Sequence, residues 1–142
     1  MKRYGPQLFL FFLLVLAAAI MLACGSSSAN RMLQSVTLSP ATADGQSYPG
    51  GQVQFTATGI YSARPSPVTP LSASWGACDL GGNSTSDVSV SASGIAECAT
   101  GSVGTYTVWA FGSNPSKGTC GAINACGGGC GRITGTAQLT CP

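Results

Sequence analysis

The stretch Gln52-Val53-Gln54-Phe55-Thr56-Ala57-Thr58 alternates polar and apolar side chains along its whole length. Successive side chains of a β-strand point to opposite faces, so a period of two places Val53, Phe55 and Ala57 on the same face. A strand with one apolar and one polar face is typical of a half-buried antiparallel sheet. The stretch therefore predicts a strand over residues 52–58 and an all-β fold around it.

Six further short strands are predicted on either side, between turns rich in Gly, Pro and Ser: residues 35–39, 71–77, 88–92, 95–99, 105–111 and 132–141. In the strand over residues 71–77, Leu71 and Ala73 share a face with Trp75, which is the predicted large core residue. Four side chains of the last strand share one face: Ile133, Ala137, Leu139 and Cys141. Seven short strands in about 110 residues are typical of an immunoglobulin-like β-sandwich.

Five stretches follow one another along the chain: Val36-Thr37-Leu38-Ser39-Pro40, the run from Gly51 to Tyr61, Leu71-Ser72-Ala73-Ser74-Trp75, Gly94-Ile95-Ala96, and Gly104-Thr105-Tyr106-Thr107-Val108. In order and spacing they resemble landmarks of bacterial Ig-like group 2 (BIG2) domains. The resemblance covers residues 33–111 and implies an Ig-like module of the kind found in bacterial adhesins, over residues 33–142. The chain departs from the family pattern in its cysteines and in a Cys- and Gly-rich insertion at residues 112–131.

The N-terminus has the layout of a secretory signal: Lys2 and Arg3 precede an apolar run over residues 8–23. The run is shorter than the roughly 20 residues that a membrane-spanning helix needs, so a cleaved signal over residues 1–23 is predicted. Its end, Met21-Leu22-Ala23-Cys24, resembles the lipobox of bacterial lipoproteins. The resemblance implies that Cys24 carries a diacylglycerol.

Two or three acyl chains would hold the protein at a membrane almost permanently, since each buried methylene contributes about 0.8 kcal/mol. The small, polar residues 24–32 are predicted to form a flexible tether between the lipid and the domain. Gly25 lacks the negative charge that retains some lipoproteins at the inner membrane. We therefore expect a cell-membrane or outer-membrane location, with the domain facing the periplasm or the cell surface.

Six cysteines remain after Cys24, and an even number in an exported chain predicts three disulfides: Cys78, Cys98, Cys120, Cys126, Cys130 and Cys141. Their pairing is not determined by the sequence. Clustered thiolates can bind zinc, but the spacing of Cys120, Cys126 and Cys130 lacks the paired C-x2-C pattern of structural zinc sites, and disulfides are the favoured interpretation. We expect neither a metal nor a cofactor.

The chain contains few side chains of the types that usually carry out catalysis. The chain contains no histidine and only four carboxylates, Asp44, Asp79, Asp87 and Glu97, in separate turns and strands. Histidine is the commonest general base, and a glycosidase needs two facing carboxylates. Removal of the signal leaves four basic side chains, Arg31, Arg64, Lys117 and Arg132, dispersed along a formally neutral chain. We therefore expect no enzymatic activity and no binding to nucleic acid.

Trp109 and Phe111 are the candidate binding surface. On a strand over residues 105–111 they point away from Tyr106 and Val108, and neighbouring aromatic side chains on an outer face often mark a binding site. The alternative is that the 112–131 insertion folds back and covers them. The sequence thus predicts a non-catalytic, membrane-anchored Ig-like module that binds a partner or serves as a scaffold at the cell envelope, with a link to adhesion implied by the family. The alternative function is binding of a glycan or small ligand by Trp109, Phe111 and the insertion.

Overall fold

Strands form almost all the regular structure of the domain, as the all-β prediction requires. A computed structural model describes residues 31–113, Cys126 and residues 132–142. No α-helix occurs among these residues. The strands are β1 (Leu33–Ser39), β2 (Thr42–Asp44), β3 (Gln52–Gln54), β4 (Thr56–Tyr61), β5 (Ser74–Cys78), β6 (Val88–Val90), β7 (Ile95–Cys98), β8 (Gly104–Ser113) and β9 (Arg132–Cys141). Two short 3-10 turns, Gly45–Ser47 and Pro49–Gly51, connect β2 to β3.

The strands are arranged in three hydrogen-bonded groups. A four-stranded sheet has the order β2-β9-β8-β5, a three-stranded sheet the order β3-β7-β6, and β1 pairs with β4. All pairs are antiparallel except β2 with β9, which run parallel. The strand β1 packs against β8 and β9, so the groups enclose one apolar core between them. This arrangement is consistent with an all-β sandwich.

The stretch over residues 52–58 forms two strands because its hydrogen-bonding partner changes at Phe55. The strand β3 pairs with β7, whereas β4 pairs with β1. At the junction, the Phe55 backbone N–H donates to the carbonyl of Gly94 at 2.9 Å, and the Gln54 side-chain amide donates to the Phe55 carbonyl at 2.7 Å. The alternation continues through the break, since Val53, Phe55 and Ala57 are all buried.

Each of the seven predicted segments contains a strand, and the bounds of several differ from the prediction. The strand β5 begins at Ser74 rather than at residue 71, although Leu71 is buried and its N–H donates to the Ala57 carbonyl at 2.8 Å. Trp75 is only partly buried against the core, so Phe55, not Trp75, is the largest fully buried side chain. The parallel strand β2 was not predicted, because three residues are too few to show an alternation.

The longest pairing joins β8 to β9 over ten residue pairs, from Gly104 with Cys141 to Ser113 with Arg132. On β8, Tyr106, Val108 and Ala110 face the core and are buried. The predicted inner face of β9 is confirmed: Ala137, Leu139 and Cys141 are buried, and Ile133 packs against the same core. These two strands therefore form the centre of the four-stranded wall of the core.

The structure pairs Cys98 with Cys141 and Cys78 with Cys126. The first pair connects β7 to β9, with Cα atoms 5.8 Å apart, and so links two different sheets. The second connects the end of β5 to the 112–131 insertion, with Cα atoms 5.9 Å apart. Cys120 and Cys130 lie outside the described residues, as do Cys24 and the predicted signal. In the described part of the chain, no helix is long and apolar enough to cross a bilayer.

Removal of the Cys98–Cys141 bridge should destabilise the domain strongly. The bridge closes a loop with a sequence separation of 43 residues. The loss of unfolded-state entropy for a loop of this length corresponds to about 4 kcal/mol. We expect the double variant Cys98→Ala/Cys141→Ala to lose roughly that much free energy of unfolding in urea titration.

A peptide map without reductant provides the control for this prediction. It should yield the peptide pairs Cys78–Cys126 and Cys98–Cys141, and Cys120 joined to Cys130 as the remaining pair if all six thiols are oxidised. A map with other pairs, or a variant as stable as the wild type, would contradict the proposed role of the bridge.

Candidate functional site

The outer face of the β8–β9–β5 sheet carries the aromatic pair that the sequence singled out. Trp109 and Phe111 lie on the face of β8 opposite to the buried Tyr106 and Val108. Both are half-buried, and their rings stack with centroids 5.3 Å apart and planes inclined by 13°. Each ring therefore covers one face of the other, and together they form an apolar patch on this side of the sheet.

Arg132 extends the stack at one end. It is the first residue of β9 and pairs with Ser113, which brings its guanidinium to 4.1 Å from the centroid of the Phe111 ring. A guanidinium over an aromatic face is attracted by the ring quadrupole while its N–H groups stay available to other acceptors. We call Trp109, Phe111 and Arg132 the aromatic strip. The sequence did not indicate Arg132, because only the strand register places it beside Phe111.

Gly76 permits Trp109 to lie flat on the sheet. Gly76 is the cross-strand partner of Trp109 on β5, and a β-carbon at this position would lie 2.3 Å from the indole Cζ2. Any other residue would therefore push the indole away. A glycine inside a strand signals the close approach of another group, and this signal could have identified Gly76 from the sequence.

The indole Nε1 of Trp109 is buried and has no hydrogen-bond acceptor among the described residues. A buried tryptophan N–H usually finds a partner, since a donor removed from water without one costs free energy. The strip is flanked on β9 by the polar partners of Phe111 and Trp109, which are Thr134 and Thr136. The face therefore combines stacked rings with hydrogen-bonding groups.

The insertion is attached to this same face. Cys78 pairs with Thr107 across β5 and β8, two positions from Trp109 along β8, and its sulfur is bonded to Cys126. Cys126 and the aromatic strip are therefore neighbours. The rest of the predicted covering segment, residues 114–125 and 127–131, lies outside the described residues.

Each of the four carboxylates is engaged in a separate local contact. Asp44 accepts from the Gln46 N–H, Asp79 from Asn83, Asp87 from the Tyr106 hydroxyl at 3.0 Å, and Glu97 from the Gln52 amide at 3.2 Å. Hydrogen bonds from the backbone and side chain of Asn83 hold the pKa of Asp79 below its usual value. Burial raises the pKa of the Tyr106 phenol, and the hydrogen bond to Asp87 raises it further. These contacts stabilise turns and strand ends.

Among the clefts lined by described residues, two lie elsewhere on the domain, and the sequence predicted neither. One, of about 560 Å³, is lined by the half-buried Trp75 with Leu71 and Gln54. The other, of about 520 Å³, lies beside Tyr48 and Cys98. Within the described part of the chain, no three His, Cys, Asp or Glu side chains are grouped as a metal site would require.

The variant Gly76→Ala should displace the Trp109 indole from β5. The added methyl group would overlap the ring, and overpacking of this kind typically costs about 1–3 kcal/mol of stability. In a Trp75→Phe background, where Trp109 is the single tryptophan, we expect the fluorescence emission of the folded protein to shift to the red. Ser74→Ala, an exposed position on the same strand, serves as the control. An unchanged emission maximum and stability in Gly76→Ala would contradict the contact.

No family model matches the chain, and no curated protein is significantly similar to it. The resemblance to BIG2 domains and to the lipobox therefore stays a prediction, supported only by the residues quoted for it.

Proposed function

We propose that the protein is a non-catalytic, lipid-anchored Ig-like module that binds a partner or serves as a scaffold at the bacterial cell envelope. The Ig-like assignment is supported by the strand orders. One sheet has the order β2-β9-β8-β5. Of the other strands, β4 pairs with β1, and β3, which directly precedes β4 in the chain, pairs with β7, which in turn pairs with β6. Read as strands A′-G-F-C and A-B-E-D, these are the neighbour relations of an immunoglobulin-type sandwich.

Two side chains also support the Ig-like assignment. The hydroxyl of Tyr106, near the start of β8, lies 3.3 Å from the carbonyl oxygen of Val103, three residues upstream, and 3.0 Å from Asp87. A tyrosine at this position that bonds back to the preceding corner is a hallmark of Ig-like domains. Trp75, on the strand corresponding to C, packs against the core as the tryptophan of such domains does.

The absence of histidine and the separate contacts of the four carboxylates support a non-catalytic role. A general base must have a lone pair available to the substrate, in a cleft that a substrate can enter. Here Asp79 accepts hydrogen bonds from Asn83 within a turn, and Asp87 accepts one from the Tyr106 hydroxyl. The four carboxylates are thus held in separate places, and no two of them face each other as hydrolysis would require.

The aromatic strip is the observation that carries the binding proposal. The stacked rings of Trp109 and Phe111 form an apolar patch on the outer face of the sheet, and Arg132 adds a guanidinium over the Phe111 ring. Sugar rings offer apolar C–H faces and hydroxyl acceptors, which fit rings and donors arranged side by side. A glycan of the envelope is accordingly the ligand class that we assign to this strip, in line with the alternative function predicted from the sequence.

Intact mass spectrometry of the membrane-extracted protein tests the anchoring. We expect the mass of residues 24–142 plus acyl chains, reduced by six hydrogens for three disulfides. Reduction and alkylation should then reveal six thiols. An uncleaved or unacylated mass would overturn the anchoring, and free thiols before reduction would overturn the complete oxidation of the cysteines.

Fluorescence titration with soluble peptidoglycan and lipopolysaccharide oligosaccharides tests the strip. The chain has two tryptophans, so Trp75→Phe leaves Trp109 as the reporter and Trp109→Phe leaves Trp75. We expect a saturable change of emission in Trp75→Phe and no binding after Phe111→Ala in the same background. A flat response to the whole panel, or an equal response in Trp109→Phe, would contradict glycan binding at the strip.

A further inference from the structure

The charged side chains of the described residues are segregated to opposite ends of the domain. Strand β9 defines the two ends, because it runs from Arg132 to Cys141. We call them the Arg132 end and the Cys141 end. The sequence predicted four basic side chains dispersed along the chain, and the fold brings the three described ones to one end of the domain.

Three arginines lie at the Arg132 end. Leu33, two residues after Arg31, approaches Gly112 near the end of β8, and Gly112 pairs with Ile133, next to Arg132. The Arg31 guanidinium lies 3.7 Å from the centroid of the Tyr61 ring, and it donates to the carbonyl oxygens of Ala63 and Pro65. Arg64 is the residue between those two carbonyls. All three arginines, Arg31, Arg64 and Arg132, are exposed.

All four acidic side chains lie toward the Cys141 end. Asp44 pairs with Thr140, and Asp79 directly follows Cys78, whose partner is Thr107. Asp87 contacts Tyr106, which pairs with Leu139, and Glu97 precedes Cys98, the residue bonded to Cys141. Eight residues of strand separate Arg132 from Thr140, or about 26 Å. This distance exceeds the Debye length of about 8 Å in physiological salt, so each end acts on its surroundings as a separate charge.

The chain enters the domain at the arginine-bearing end. Arg31 follows Cys24 by seven residues, which span at most about 25 Å when fully extended. An acyl chain on Cys24 would therefore hold the Arg132 end near the headgroups and leave the acidic end farther away. This step rests on the proposed anchoring at Cys24.

We propose that Arg31, Arg64 and Arg132 form a docking surface for the anionic phospholipid headgroups of the membrane that carries the protein. Guanidinium groups bind phosphate oxygens through paired N–H donors. Stacking on Tyr61 and Phe111 holds two of the three in place before contact. Met32, 41% exposed beside Arg31, adds an apolar side chain at the same surface. The docking orients the domain, with its acidic end directed away from the lipid.

Co-sedimentation with vesicles tests the docking without the acyl chain. The protein is the mature chain, residues 24–142, with Cys24→Ser and its disulfides verified by mass. We expect it to bind vesicles with 30 mol% phosphatidylglycerol and not vesicles of phosphatidylcholine alone, with release in high salt. Each arginine near an anionic surface is worth about fivefold in binding, so Arg64→Gln/Arg132→Gln should weaken binding by more than tenfold.

The matched control removes two charges at the other end. Asp79→Asn/Glu97→Gln should change vesicle binding by less than about twofold relative to the wild type. Those carboxylates lie farther from the arginine-bearing surface than the Debye length, so their charges are screened there. A change in this variant as large as in the arginine variant would indicate a net-charge effect and overturn the docking surface. Equal binding to both vesicle types, or preference for duplex DNA over anionic vesicles, would overturn it too. If the protein does not bind anionic vesicles, the proposed acylation of Cys24 still stands. If Cys24 proves to be unacylated, the vesicle result still stands.

Discussion

The pairing of β8 with β9 over ten residues is the constraint on which the other features depend. In a ladder of this length the side chains alternate strictly between two faces, and a slip of one residue would exchange the faces. The observed register buries Val108 and Leu139 together in the core. The same register sets Trp109 and Phe111 on the outer face and brings Arg132 beside them. The same hydrogen-bonding register therefore determines which side chains enter the core and which form the candidate site.

The ladder alone does not form the site, because the outer face also needs β5 and the insertion. Gly76 lets the indole of Trp109 lie across β5, and Cys78, two residues further, is bonded to Cys126. A glycine and a cysteine on one short edge strand therefore position an aromatic ring and anchor the insertion. The sequence identified both cysteines as disulfide partners but did not identify their pairing, since fifteen connectivities satisfy the same six positions.

The strands that the sequence predicted are those with clear alternation and turn residues at both ends. Residues 132–141 were predicted with the bounds that β9 has, and Val53, Phe55 and Ala57 share a buried face as expected. The strand β2 was missed because it is three residues long and depends on β9 for its hydrogen bonds. The break at Phe55 was missed because it reflects a change of neighbour, from β7 to β1, which no local pattern records.

A period of two is a local property of the chain, so the sequence was sufficient to predict the all-β class, the faces of the main strands and the aromatic pair. The contacts across strands follow from the three-dimensional arrangement: Cys98 with Cys141, Trp109 with Gly76, Phe111 with Arg132. The same arrangement places the arginines of the described residues at one end of the domain and the carboxylates toward the other. Such relations join residues tens of positions apart, and they depend on strand order and register, which the core selects as a whole.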